Sequence, residues 1–184
     1  MEKQSFTQIL HRVRDYAAGM GLILIDSKTL NPYFKGDLNG SKIWINFDMN
    51  DEEELFNVLH MLGHSVQWGV SEELKALGSH LHTNPDDETL ARLQVYEWQA
   101  NCYGLAILHD LGIFYLDDWL YEKYRTDAYY LTHFYKTGEK VKEITAIALQ
   151  YASIRKLEAQ PIPKTFIPTQ IEGTRDGLVI DFNP

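Results

Sequence analysis

Among 184 residues there is a single cysteine, Cys102. No internal disulfide can form, and a reducing cytoplasm is the expected setting. Basic residues are scarce: 17 Lys and Arg against 26 Asp and Glu give a formal net charge of -9. That balance argues against direct nucleic-acid binding, which needs a basic footprint to displace counterions. No run approaches 18 consecutive apolar residues, so neither a spanning helix nor a membrane partner is expected. The opening Met-Glu-Lys-Gln-Ser-Phe lacks the basic start and apolar run of a signal peptide. There is no glycine-rich phosphate loop and no G-x-S-x-G elbow, and Ser65 beside His64 makes no triad.

What is present is ordinary globular composition, 45% hydrophobic and 23% charged, which excludes fibrous and disordered classes. Ser5 followed by Gln8 has capping-box spacing, and Phe6, Ile9, Leu10, Val13 and Ala17 repeat with helical period up to Gly19 and Gly21. Leu22 to Ile25 reads as a strand. Asn39-Gly40 signals a hairpin into a second strand, Lys42 to Phe47, and a further strand is expected near Tyr33-Phe34. A long helix is predicted from Asn50 or Asp51 to about Trp68; Asp51, Glu52, Glu53 and Glu54 suit the positive end of its dipole. A second runs from about Glu88 to Asp110, closed by Gly112, and a third, from Leu116 to Tyr135, is dense in aromatics that read as core or interface. Val141, Ile144, Ala148, Tyr151 and Ile154 mark a last helix. Pro161, Pro163 and Pro168 then favour an extended path, and Asp176-Gly177 suits a hairpin pairing Thr165–Ile171 with Leu178–Phe182. The plan is α+β: one domain over 1–160 and a Pro-rich tail over 161–184.

The informative stretch is Leu59-His60-Met61-Leu62-Gly63-His64-Ser65. Four residues apart on a helix, His60 and His64 project about 40° from one another and one turn apart, so both imidazoles can reach one metal ion. Random placement of seven histidines gives roughly 0.26 pairs at this spacing, so the pair carries little weight alone. The helical wheel adds to it. Leu55, Val58, Leu59, Leu62 and Val66 form one apolar arc, and the histidines lie off it, beside Phe56, Gly63 and Gln67, facing either another element or water. Midway along the next long helix, Glu97 can supply the third ligand a zinc site needs. Asn101, one turn on, can orient a ligand or belong to a polar face, and Gly104 permits a close helix crossing with or without metal. The other histidines fit less well. His80 and His82 sit in a loop, His109 suits a helix C-terminus, and His133 reads as a core or surface side chain. Cys102 lies about 140° round from Glu97, too far to be a ligand.

Ile43-Trp44-Ile45-Asn46, an acidic helix start, His60-Met61-Leu62-Gly63-His64, and then Glu97 with Ala100 together resemble the ImmA/IrrE family of zinc metallopeptidase-like proteins. That family's pattern is an IxIN strand, a helix carrying HELGH and a later helix carrying ExEA. The likeness spans roughly Phe34 to Leu108. It implies a zincin-like fold, a gluzincin-type site with His60, His64 and Glu97 as zinc ligands, and work on or beside helix-turn-helix transcriptional regulators.

The departure from that pattern lies at its chemical centre. Met61 stands where the family has its catalytic glutamate, and Trp98-Gln99 interrupts the second motif. In HExxH peptidases the glutamate takes a proton from zinc-bound water and passes it to the leaving amine, which methionine cannot do. Losing such a group costs about 10²- to 10⁴-fold in rate. Glu53, about 10.5 Å along the helix from His60, is too far to replace it; Glu72 and Glu73 would have to fold back. The reading favoured is a degenerate metallopeptidase-like protein, with no catalytic residue at the usual position and a regulatory or partner-binding role. Its alternatives are an active metal-dependent peptidase with a non-standard base and a metal-free interaction protein.

Overall fold

Ser5 starts the first helix as its spacing predicts, with its side chain accepting from the Gln8 amide while Gln8 Oε1 receives the Ser5 amide at 2.9 Å. The structure is a computed structural model that describes residues 3–28, 35–80, 82–140 and 154–170. This helix, α1 (Phe6–Gly19), buries Ile9, Leu10, Val13 and Ala17, the stripe set by its period. Gly21, at φ +78°, turns the chain into β1 (Ile23–Ser27). The expected strand near Tyr33-Phe34 falls outside the described residues. β2 (Gly36–Leu38) and β3 (Lys42–Asn46) form the hairpin signalled by Asn39-Gly40, with Gly40 at φ +104°. β3 is central, parallel to β1 with Ile23 beside Lys42, and antiparallel to β2 with Gly36 beside Ile45.

The next helix, α2 (Asp51–Val70), opens with Asn50 Oδ1 accepting from the Glu53 amide at 3.0 Å. Each acid of its first turn has a partner as well as the dipole: Asp51 meets Thr7, Glu52 meets Lys123 and Trp119, Glu53 meets Lys35, and Glu54 meets Arg14. A short helix not anticipated from the sequence follows, α3 (Glu72–Gly78), capped by Ser71. Then come α4 (Asp87–Asp110) and α5 (Asp117–Thr137), which ends on Gly138 at φ +71°.

α2 is the hub, packed on the sheet, α1, α3 and α4. Its arc of Leu55, Val58, Leu59 and Leu62 is buried with Val13, Ile43, Ile45, Ile107, Leu108 and Leu120 in one core. Gly63 faces the backbone of Ala100, and Gly104 faces that of Leu59, so α2 and α4 run antiparallel at close range. The glycine from the histidine motif makes the tighter approach, because a Cβ there would overlap the Ala100 carbonyl.

Residues 141–153, which hold most of the expected last helix, lie outside the described residues, and Ile154 is in irregular chain. From there to Gln170 the chain forms neither helix nor strand. It is tied down by Trp98 Nε1 donating to the Lys156 carbonyl at 2.9 Å and by the Gln160 amide reaching the Cys102 carbonyl at 3.3 Å. The segment Thr165–Gln170 is not in a strand; the rest of the expected hairpin lies outside the described residues. The architecture is α+β, with five helices and a three-stranded mixed sheet among the described residues. No helix among them is long and apolar enough to cross a membrane.

Candidate metal centre

The contact between Gly63 and Ala100 decides what the two helices can share. With no side chain at Gly63, α4 approaches until Glu97 lies level with His60 and His64. His60 Nε2 and His64 Nε2 are 2.8 Å apart, and Glu97 Oε2 stands 3.1 Å from the first and 3.2 Å from the second. All three side chains are buried, so the histidines face another element rather than water. Tetrahedral zinc bonded at about 2.0–2.1 Å separates its ligands by about 3.3 Å. The observed triangle is a few tenths of an ångström tighter. Two imidazole nitrogens and a carboxylate oxygen are the donor set of a catalytic-type zinc site, so the residues fit the ion.

No family model matches this chain, and no curated protein or solved structure does either.

The atoms that do not face the centre are held as well. His64 Nδ1 lies 2.8 Å from Gln67 Oε1. Gln67 Nε2 donates to the Tyr96 carbonyl at 2.8 Å and to Gln99 Oε1 at 3.1 Å, so the oxygen is the end that faces the ring. His64 therefore carries its proton on Nδ1 and turns the Nε2 lone pair inward, the tautomer a metal needs. The other carboxylate oxygen, Glu97 Oε1, accepts from Tyr135 Oη at 2.6 Å. His60 Nδ1 has Asn101 Nδ2 at 3.1 Å and Asp127 Oδ2 at 3.6 Å. Asn101 thus does touch the His60 ring, although its Oδ1 is buried without a hydrogen-bond partner among the described residues.

Burial opposes charge on every group here, and the neighbours decide which group keeps it. For Glu97, burial is outweighed by the two imidazoles, and its carboxyl stays well below the usual range. For His60, burial is outweighed by the hydrogen bond and charge of Glu97, and its pKa rises above the ordinary 6.5. Burial prevails at His64, aided by repulsion from His60, so its pKa falls. The two rings are thus pushed apart, His60 the more basic and His64 the less. Asp127 is pushed up to about 6, mainly by burial, against the pull of His60.

The remaining sequence candidates lie elsewhere. Met61 is half-buried against the core and the start of β2, near Gly36. Glu53 pairs with Lys35 at 3.0 Å. Glu72 and Glu73 do not fold back: they are exposed on α3, near Lys75 and Arg92 respectively. His80 and His82 bond the backbone carbonyls of Ala76 and Leu77. His109 pairs with Asp117 at 3.0 Å, and His133 lies outside the cluster. Gln67, Asp127 and Tyr135 are the neighbours that sequence reasoning did not assign. Gln67 had a signal, three residues past His64 on the same face; Asp127 and Tyr135 sit in the aromatic helix and had none.

Proposed function

We propose that this chain is a zincin-like, zinc-binding relative of the ImmA/IrrE proteins that has lost efficient peptidase chemistry and acts through binding. The observation that carries the reading is the buried His60, His64 and Glu97 triangle, with Asn101, Gln67 and Tyr135 against its outer atoms and Met61 at the position of the general base. When bound, zinc would supply a Lewis acid and lower the pKa of a coordinated water toward about 7. What the protein lacks is a group to move that water's proton. Among the described residues, Asp127 is the further carboxylate at ion-pair distance from the cluster, and it stands at His60 Nδ1. Nδ1 is across the ring from the Nε2 that would face the metal, so Asp127 does not reach a water there.

The partner under this reading is a protein, with a helix-turn-helix regulator as the class the resemblance implies. A reducing, cytoplasmic setting suits the free, buried Cys102. The deciding measurement is elemental analysis of untagged protein, wild type beside His60→Ala. Near one zinc per wild-type chain and none in the variant supports the site. No metal in either favours the metal-free reading, in which His60 and Glu97 are simply a buried ion pair. Iron instead of zinc would make the same residues the facial triad of non-haem oxygenases. Chelator-sensitive peptide hydrolysis by wild type would overturn the loss of peptidase chemistry, and Met61→Glu is expected to raise any residual activity.

A further inference from the structure

The three candidate ligands belong to α2 and α4, yet two of the polar groups beside them belong to α5. Tyr135 Oη donates to Glu97 Oε1 at 2.6 Å, and Asp127 Oδ2 stands 3.6 Å from His60 Nδ1. Resting on the metal reading above, we infer that Tyr135 and Asp127 are positioning residues of the centre. Metal occupancy and the seating of α5 on α2 and α4 are then a single equilibrium.

Each residue has a distinct task. A carboxylate can bind a metal through one oxygen or both. With Oε1 committed to Tyr135, Glu97 presents only Oε2, so the protein supplies three donor atoms and leaves a fourth position open. Asp127 acts on the proton. A metal on His60 Nε2 requires the hydrogen on Nδ1, where Asn101 Nδ2 now points a donor. Asn101 is held in that sense by donating to the Glu97 carbonyl at 2.9 Å. Two donors cannot face each other, so an acceptor must come from elsewhere. Asp127 needs to move only about 0.7 Å to receive the hydrogen bond, which completes the carboxylate–histidine–metal relay that fixes a ligand's tautomer. Seating α5 also sets the width of a mainly apolar cavity of about 580 Å³ between α4 and α5, bordered by Glu97, Trp98, Tyr135 and Arg155.

Cobalt(II) is a suitable probe, because its visible spectrum reports coordination number and its titration reports affinity. It is added to metal-stripped full-length wild type, Tyr135→Phe, Asp127→Ala and Asp127→Asn. Wild type is expected to bind one ion per chain with a four-coordinate spectrum. Tyr135→Phe should bind about 10- to 100-fold more weakly, with the spectrum moving to higher coordination as Glu97 chelates. Asp127→Ala should lose affinity by a similar factor with the spectrum retained. Asp127→Asn should recover most of that loss, because its amide oxygen still accepts from Nδ1. Amide exchange across 117–137 should slow when cobalt is added to wild type. The role of α5 is overturned if wild type binds one cobalt while Tyr135→Phe and Asp127→Ala keep its affinity and spectrum. If wild type takes up no cobalt, the centre itself is absent and α5 loses this role with it, a failure visible before any variant is compared.

Discussion

On the metal reading, protons and metal compete for the same nitrogen at His60. His60 has a raised pKa in the folded chain, so its contribution to metal-free stability is full below its unfolded value near 6.5. It is lost as pH rises through the folded value. Glu97, held low, contributes above about 4.3 and loses its effect as pH falls through its folded value. Zinc requires both imidazoles neutral, so binding should displace the proton that His60 takes up below its raised folded pKa. On the acid side of that pKa the zinc-induced gain in stability should then climb by about 1.4 kcal/mol per pH unit. Comparing zinc-loaded with chelated protein cancels every group remote from the site; a zinc-induced gain that does not change with pH on the acid side, before the bound water ionises at about 7, would contradict the assignment. Cys102 gives a second, independent residue-level test. Burial, only partly offset by the Glu158 amide near its sulfur, pushes the thiol up to about 11. Its thiolate fraction at pH 8 is about one in a thousand. Alkylation of native protein should run at least about 100-fold more slowly than in denaturant, and equal rates would show that the thiol is accessible.

Two glycines bring α2 and α4 together, and they should not respond alike to alanine. Replacing helical glycine with alanine gains about 1 kcal/mol of helix propensity, while overpacking a tight contact costs about 1–3 kcal/mol. At Gly104 the new Cβ would stand 3.1 Å from the Leu59 carbonyl, a crowding the two terms nearly offset. At Gly63 it would overlap the Ala100 carbonyl, so the helices must part. Gly63→Ala should therefore destabilise the fold and weaken zinc binding together, with Gly104→Ala close to neutral; equal denaturation midpoints would show that the crossing is looser than described. This pair also marks what could be read from the sequence. Capping residues Ser5 and Asn50, the hairpin at Asn39-Gly40 and the i, i+4 histidines are local patterns, and local patterns are legible. Glu97 could be proposed because a metal site needs a third ligand, although the packing of α4 against α2 was inferred rather than read. α3 was missed because its seven residues carry too little periodicity, leaving the Ser71 cap as the one clue. Asp127 and Tyr135 were missed for a different reason: their role comes from α5 lying over the site, and a helix's packing partner leaves no mark at the position itself.

At the scale of the whole molecule, the segment after Ile154 ties elements distant in sequence to one another. It stacks Arg155 on the Trp98 ring at 3.6 Å, passes Cys102, and ends near three glycines from three parts of the fold. Pro168 lies against Gly21, Phe166 and Ile167 against Gly69, and Thr169 against Gly40. A Cβ on Gly69 would come within 2.5 Å of the Ile167 carbonyl and 2.6 Å of the Phe166 ring. Gly69→Ala thus sets the same two magnitudes against each other as before, but the group that must yield is now the end of an irregular chain, whose other anchors at Trp98 and Cys102 lie several residues back, rather than a buried helix. Releasing it is cheaper than separating two helices. Gly69 is also about 180° round α2 from His60, so the proposed metal ligands are spared. The expected result is a variant with near wild-type melting temperature and zinc content, but faster tryptic cleavage after Lys164, which is exposed. Cleavage at the wild-type rate would mean that the segment adjusts without leaving its seat. Loss of zinc alongside faster cleavage would instead couple the segment to the centre, linking the site to the far side of α2 through the helix itself.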